Sequence, residues 1–290
     1  MPTGICRAIE MPQKEERPLH KGGLLCTPTE NSTTMKRIAI VTGSSRGLGA
    51  AFVSLLRKSV KVDEIWLIAR HNSETHHNDH QTGPRLVPIC CDLTTKTGRK
   101  TVEKRLTEEP LHIDYLVNNA GMARFGLSEA LIPAEISDML TLNCLALTSL
   151  SAVCIPHMVR GAHIINIASI AAFLPVPEMS VYAATKAYVL RYSLALRREL
   201  APRGICVTTV CPGWMNTDFI PSASAGKTHI PTRFVGITTP ERVAAKAWRD
   251  TQHGKTLSIC GTFPRLVHWA SRLLPHSWLM TFWRWQQPHE

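Results

Sequence analysis

Thr42-Gly43-Ser44-Ser45-Arg46-Gly47-Leu48-Gly49 is the stretch on which the fold turns. It follows the apolar run Ile38-Ala39-Ile40-Val41 and leads into a helical pattern over 47–58. Glycines permit a tight turn between strand and helix. They also let the backbone approach a pyrophosphate, which then rests on the unpaired N–H groups of the helix N-terminus. The spacing is G-x-x-x-G-x-G rather than the commoner G-x-G-x-x-G, and taken alone it also admits a plain tight turn.

Outward from this turn, strands and helices alternate. Short β-branched runs fall at 37–42, 64–69, 86–91, 113–117, 163–168, 205–211 and 256–260, and helical patterns at 47–58, 96–108, 133–158, 181–201 and 239–251. Such alternation predicts an α/β fold with a parallel sheet covered on both faces. No fixed-period repeat and no Pro/Gly-rich linker divides the chain, so one domain is expected.

Residues 1–34 differ from the rest. They carry Pro2, Pro12, Pro18 and Pro28, mixed charge and no sustained apolar period, which predicts a disordered extension without a secretory signal. Met35 stands directly before Lys36-Arg37 and reads as a candidate natural start; a native mass beginning before it would exclude that. The extension has four basic and four acidic residues, so the formal charge of +11 belongs to residues 35–290. That surplus admits nucleic acid, an anionic membrane surface or a phosphorylated small molecule as partner. Nine cysteines without CxxC or zinc spacing read as reduced thiols of a cytoplasmic protein, with Cys90 and Cys91 expected to be buried in a strand. The most apolar stretch, Met139 to Met158, contains Asn143, Pro156 and His157, and a core helix explains it better than a membrane span.

The other strand ends carry the chemistry. The second strand closes with Ala69-Arg70, where an acidic residue would bind a ribose 2′-OH and repel a 2′-phosphate. With Arg46 in the turn, two guanidiniums can grip a 2′-phosphate, which predicts NADPH over NADH. Asn118-Asn119-Ala120-Gly121 follows the fourth strand and Ser169 closes the fifth. Tyr182 and Lys186 are i,i+4 and share a helix face. A tyrosine of pKa near ~10 is a poor base at neutral pH. A lysine ammonium and an oxidised nicotinamide would favour its phenolate, a differential stabilisation of roughly 4 kcal/mol.

Over residues 36–262 the chain closely resembles the short-chain dehydrogenase/reductases of Thr-Gly-x-x-x-Gly-x-Gly type. The resemblance implies a single doubly wound, Rossmann-like parallel sheet of about seven strands in order 3-2-1-4-5-6-7. It also implies roles. Ser169 polarises a substrate carbonyl, Tyr182 exchanges the proton, and Lys186 binds the nicotinamide ribose and tunes Tyr182. Asn143 holds a water in the proton relay. Gly43, Ser44, Ser45, Arg46, Gly47, Leu48 and Gly49 would cradle the NADP(H) phosphates, with Arg70 at the 2′-phosphate. Asp92 and Leu93 would meet the adenine, Asn119, Ala120 and Gly121 would line the cofactor, and Pro212, Gly213, Met215 and Thr217 would hold the carboxamide. No metal is implied, and a dimer or tetramer through the helices carrying Asn143 and Tyr182 is.

Two stretches depart from the family. His71 to His80 holds four histidines and is expected to be a polar loop rather than a metal site. The tail over 263–290 holds four of the seven tryptophans among Arg265, Arg272 and Arg284 at helical spacing. It is read as packing on its own domain or a partner subunit, with peripheral membrane contact through 265–290 as the alternative. The organisation expected is thus an extension over 1–35, the dehydrogenase domain over 36–262 and an amphipathic tail over 263–290.

Segments 122–127, 170–179 and 214–238 should form the substrate pocket, the last as a lid. They are mostly apolar, with Lys227 and Arg233 the candidate cations, which favours a hydrophobic ketone or secondary alcohol such as a hydroxysteroid or related lipid. A 3-oxoacyl thioester is the alternative substrate. A dinucleotide-binding regulatory protein without turnover is the alternative class, and the filled catalytic positions argue against it. No recognition element for nucleic acid is visible.

Overall fold

The computed structural model describes residues 35–71, 83–227 and 230–287. The extension over 1–34 and the His-rich stretch beyond His71 lie outside the described residues. Seven strands form one all-parallel sheet: β1 (Lys36–Thr42), β2 (Glu64–Ala69), β3 (Arg85–Cys90), β4 (Leu111–Asn118), β5 (Met158–Ile167), β6 (Cys206–Val210) and β7 (Leu257–Ser258). Their order is β3-β2-β1-β4-β5-β6-β7. The order reverses between β1 and β4, which opens a crevice at their carboxyl ends.

Alternate residues of the central strands pack in opposite directions. Ile38 and Ile40 meet Val102 and Leu106 of α2 (Lys96–Thr107) and Leu196 and Leu200 of α5 (Ser180–Leu200). Ala39 and Val41 face Phe52 and Leu56 of α1 (Gly47–Ser59) and Val243 and Ala247 of α7 (Pro240–Gln252). Strands buried on both faces account for the near-continuous β-branched runs of the sequence. The remaining helices are α3 (Pro133–Leu140), α4 (Leu147–Cys154), α6 (Phe219–Ser224), α8 (Thr262–Leu273) and α9 (His276–Gln286).

A π-helical turn, Thr141–Ala146, joins α3 to α4. By length and mean hydropathy (1.7) the continuous helix Pro133–His157 would suit a membrane span. One side of it, with Met139, Asn143, Ala146, Leu150, Ser151 and Cys154, is buried within this fold, while Leu140 and Leu145 are exposed.

One polar line runs through the apolar layer. Asn118 and Asn166 are register partners on β4 and β5. Asn118 Nδ2 donates to Asn166 Oδ1 at 2.8 Å and to Ser151 Oγ at 3.0 Å, and Asn166 Nδ2 donates to Ser193 Oγ at 2.9 Å. Mutual hydrogen bonding is what allows such amides inside a core.

Three expectations need correction. β5 begins at Met158, five residues earlier than its apolar run, because Gly161 at φ +89° and a pairing shift between Ile113 and Tyr115 carry a polar-looking stretch into the sheet. The helical stretch expected to reach residue 158 ends at His157, its last turn, Ile155–His157 with Pro156, being 3₁₀ rather than α. Cys90 is exposed rather than buried: β3 is an edge strand with one open side, where Cys90 Sγ donates to Arg70 O at 2.9 Å.

Candidate active site

The glycine-rich turn is built around close backbone approach. Gly43 and Gly47 have φ of +62° and +55°, and a Cβ on Gly49 would lie 2.0 Å from Gly43 O. A Cβ on Gly43 would lie 2.9 Å from Asn119 Nδ2. Thr42 Oγ1 accepts the N–H groups of Asn119 and Ala120 at 3.0 and 2.9 Å, while Asn119 Nδ2 donates to the carbonyls of Thr42 and Gly43. The first and fourth strand ends are thereby stitched into one wall. At the head of α1 no side chain caps the helix and no acidic residue sits in the first turn. Its free N–H groups are left for an external anion.

Arg46 and Arg70 both line the cleft, Arg70 directly after Ala69, the last residue of β2. Arg46 pairs with Asp218 at 3.4 Å, but both side chains are largely exposed, so this contact holds the guanidinium only weakly. Burial works against charge on Asp92. Hydrogen bonds from the Thr94 N–H and hydroxyl, together with Arg70, outweigh it and hold the carboxyl below its usual range. The ionised Asp92 thus fixes the loop after β3. A nicotinamide dinucleotide fits these residues: the turn leaves no room for a Cβ at Gly43 or Gly49, the helix N-terminus is uncapped, and two guanidiniums, Arg46 and Arg70, line the same cleft.

Ser169, Tyr182 and Lys186 converge at the far end of the same cleft. Its volume is about 2040 Å³, and it also exposes Leu48, Leu93, Gly121, Pro212, Gly213, Met215 and Thr217. Ser44, Gly49 and Asn143 stand behind this lining and support it from within. Ser169 Oγ accepts the Ala171 N–H at 3.1 Å, and Lys186 Nζ donates to Ile167 O at 2.8 Å while lying 5.7 Å from the Tyr182 ring centroid. Burial pushes the Tyr182 hydroxyl up to about 12, which the hydrogen bond with Ser169 opposes. Burial also pulls Lys186 down to about 8. The sequence reading had Lys186 and an oxidised nicotinamide together favouring the phenolate; the chain's own groups keep the phenol protonated.

Asn143 sits in the π turn with both amide protons committed. Its Nδ2 donates to Met122 O and Thr185 Oγ1 at 2.9 and 3.0 Å, and its Oδ1 accepts the Met122 N–H at 2.9 Å. The side chain therefore ties the segment after Gly121 to α5.

The three expected pocket segments come together. Phe219 of α6 lies over Tyr182, ring centroids 5.7 Å apart. Met215 and Thr238 form an isolated parallel bridge that closes the base of the excursion between them. The Phe125 N–H donates to Ala223 O at 3.0 Å, and Arg124 Nη1 donates to Ser222 O at 2.7 Å. Arg124 is the cleft-lining cation that sequence reasoning missed. Lys227, proposed for that part, is engaged by Glu135 at 2.6 Å, and the same carboxylate pairs with Arg124 at 3.4 Å. The tail was missed as a cleft wall too: Phe263, Leu266, Trp278, Phe282 and Trp283 line its outer part, and Trp283 stacks on Trp214. Its Leu and Trp spacing signalled a helix without saying what the helix faces. Among the described residues no group of three or more His, Cys, Asp or Glu could hold a metal ion.

A dinucleotide cradle that runs into a Ser–Tyr–Lys cluster defines an oxidoreductase that interconverts carbonyl and alcohol. The chain belongs to the short-chain dehydrogenase family, whose model, described as short chain dehydrogenase, matches residues 37–228. It is 32% identical over 184 residues to the 3-oxoacyl-[acyl-carrier-protein] reductase FabG of Vibrio cholerae, covering 63% of this chain and 75% of that one. Carbonyl reductase family member 4 of Xenopus laevis is 30% identical over 186 residues, 63% of this chain and 78% of that one. A solved short-chain dehydrogenase from Sphingobium yanoikuyae, in complex with NADPH, superposes with TM-score 0.69 at 27% identity. That match covers 85% of this chain and 95% of the other.

Proposed function

We propose that this protein reduces a hydrophobic ketone to its secondary alcohol with NADPH, the substrate being a hydroxysteroid-type or related lipid ketone. The observation that carries the reading is the apolar cleft that runs outward from Tyr182 between Phe219, Trp214 and the tail. Bound in the cradle, the reduced nicotinamide would supply the hydride. Ser169 Oγ and the Tyr182 hydroxyl hold the ketone oxygen between them. Tyr182, protonated at neutral pH, donates its proton to that oxygen as general acid. Lys186 is anchored to Ile167 O, and we assign it to the nicotinamide ribose, a reading its place in the cleft lining supports. Asn143 keeps the segment after Gly121 in place and is the residue we assign to a relay water.

Support for NADPH over NADH comes from Arg46 and Arg70 at an acid-free strand end, and from the NADPH complex of the Sphingobium relative. A 3-oxoacyl thioester is the second reading, favoured by the Vibrio reductase. NADPH oxidation followed across steroid ketones, acyl thioesters and small ketones separates the two. Preference for the thioesters would reject the first. Leu140, Leu145 and Tyr188 are exposed on α3, the π turn and α5, which supports assembly through these helices.

A further inference from the structure

Between Thr262 and Gln287 the chain has Arg265, Arg272 and Arg284 and no Asp or Glu. α8 exposes Leu266, Trp269 and Leu273 by 66, 59 and 76%, and α9 exposes Trp278, Phe282 and Trp285 by 66, 51 and 76%. The spacings, i, i+3, i+7 and i, i+4, i+7, give each helix one apolar outward stripe. Other residues of the tail make its packing contacts. Pro264 is buried, Trp283 stacks on Trp214, and Gln287 hydrogen-bonds the backbone of 232–233. The tail therefore packs on its own domain and still presents six large apolar side chains to solvent. Large apolar side chains exposed together on consecutive helices point to an interaction face.

We propose that the α8–α9 hairpin docks on an anionic lipid bilayer and that the substrate cleft opens onto that surface. Tryptophans beside arginines, in a stretch 262–287 without Asp or Glu, match the chemistry of the bilayer interface. The indole rings sit at headgroup level and the guanidiniums meet lipid phosphates. Arg272 lies over the Trp269 ring at 6.0 Å, so charge and apolar surface are presented together. Leu266, Trp278 and Phe282 belong both to the outward stripes and to the cleft lining, so a membrane-dissolved ketone would enter without crossing water. Delivery of substrate rests on the proposed reading of the cleft; docking does not.

Trp269, Leu273 and Trp285 lie outside the cleft lining and allow a clean test. The full chain is mixed with phosphatidylcholine vesicles with and without phosphatidylglycerol, and bound protein is read by flotation and by tryptophan emission. Expected is salt-sensitive binding to the anionic vesicles, with a blue-shifted emission. Combining Trp269→Ser, Leu273→Ser and Trp285→Ser should lower partition about tenfold or more, and each Arg→Gln change about fivefold. Turnover of a water-soluble ketone and the thermal midpoint should stay unchanged in the triple serine variant, which separates lost docking from misfolding. No binding to anionic vesicles, or equal binding by the triple variant, would overturn the proposal. So would an oligomer that the triple variant dissociates, since a second copy would then own the face. Inactivity on every ketone with vesicle binding intact would instead reject the proposed substrate.

Discussion

Gln287 Oε1 accepts the backbone N–H of Thr232 at 2.7 Å, across 55 residues of sequence. The same oxygen accepts the Arg233 N–H at 3.0 Å, and Gln287 Nε2 returns a bond to Arg233 O at 3.0 Å. One buried amide thus fastens the end of α9 to the excursion that carries Trp214 and Phe219 over the site.

Gln287→Ala would leave those backbone groups without partners, at a cost of roughly 1–3 kcal/mol if they stay buried. We expect KM for a hydrophobic ketone to rise about tenfold by the same conversion, with kcat and NADPH affinity little changed. Steady-state kinetics and cofactor titration check this; an unchanged KM would show that the clamp does not position the substrate wall.

Tyr182→Phe removes the proton donor while conserving ring packing against Phe219. Turnover should fall by about two to four orders of magnitude, the scale of general acid catalysis. NADPH binding, followed by fluorescence, should remain close to normal.

Arg46→Ala and Arg70→Ala should each weaken NADPH binding about tenfold or more and leave NADH almost untouched, since only the former carries a 2′-phosphate for charge-assisted bonds. Ala69→Asp should reverse the preference. Comparable kcat/KM for both cofactors in the unaltered protein would defeat the assignment.

Lys186 offers a pH test. Burial lowers it from 10.5 to about 8, so between those values the unfolded chain binds more protons than the folded one. Stability attributable to this residue therefore rises with pH across that window, and the penalty is complete below about 8. Denaturant unfolding of Lys186→Met beside the parent should give a difference that shifts in the parent's favour as pH climbs from 7 to 10. Tyr182, pushed up to about 12, contributes in the opposite sense in both proteins and cancels.

The strand–helix alternation and the polar groups at strand ends were legible because both follow local rules: period-two burial, glycine where a Cβ has no room, and i,i+4 spacing on α5. Contacts that join distant segments were not. Thr42 accepting from Asn119 and Ala120, and Arg124 reaching Ser222, have no period or motif to announce them. The early start of β5 was hidden because residues 158–162, Arg160 and Gly161 among them, lack the β-branched run that marks the rest of the strand, and a pairing irregularity carries them into the ladder. In the tail the amphipathic spacing was legible, but not what it packs against. Trp283 and Gln287 face inward while Trp278 and Trp285 face out, so packing and exposure, weighed there as rivals, occur on one helix.

The Asn118–Asn166 pair has a consequence for assembly. If β5 slid one residue along β4, the two amides would turn from each other into aliphatic surroundings, each losing partners worth roughly 1–3 kcal/mol. Aliphatic neighbours such as Ile164 and Ile165 tolerate such a slide far better, because one hydrocarbon replaces another. The amides therefore work as a key that fits one register, and Ser169, three residues beyond Asn166, is delivered to the cleft by a choice made inside the sheet.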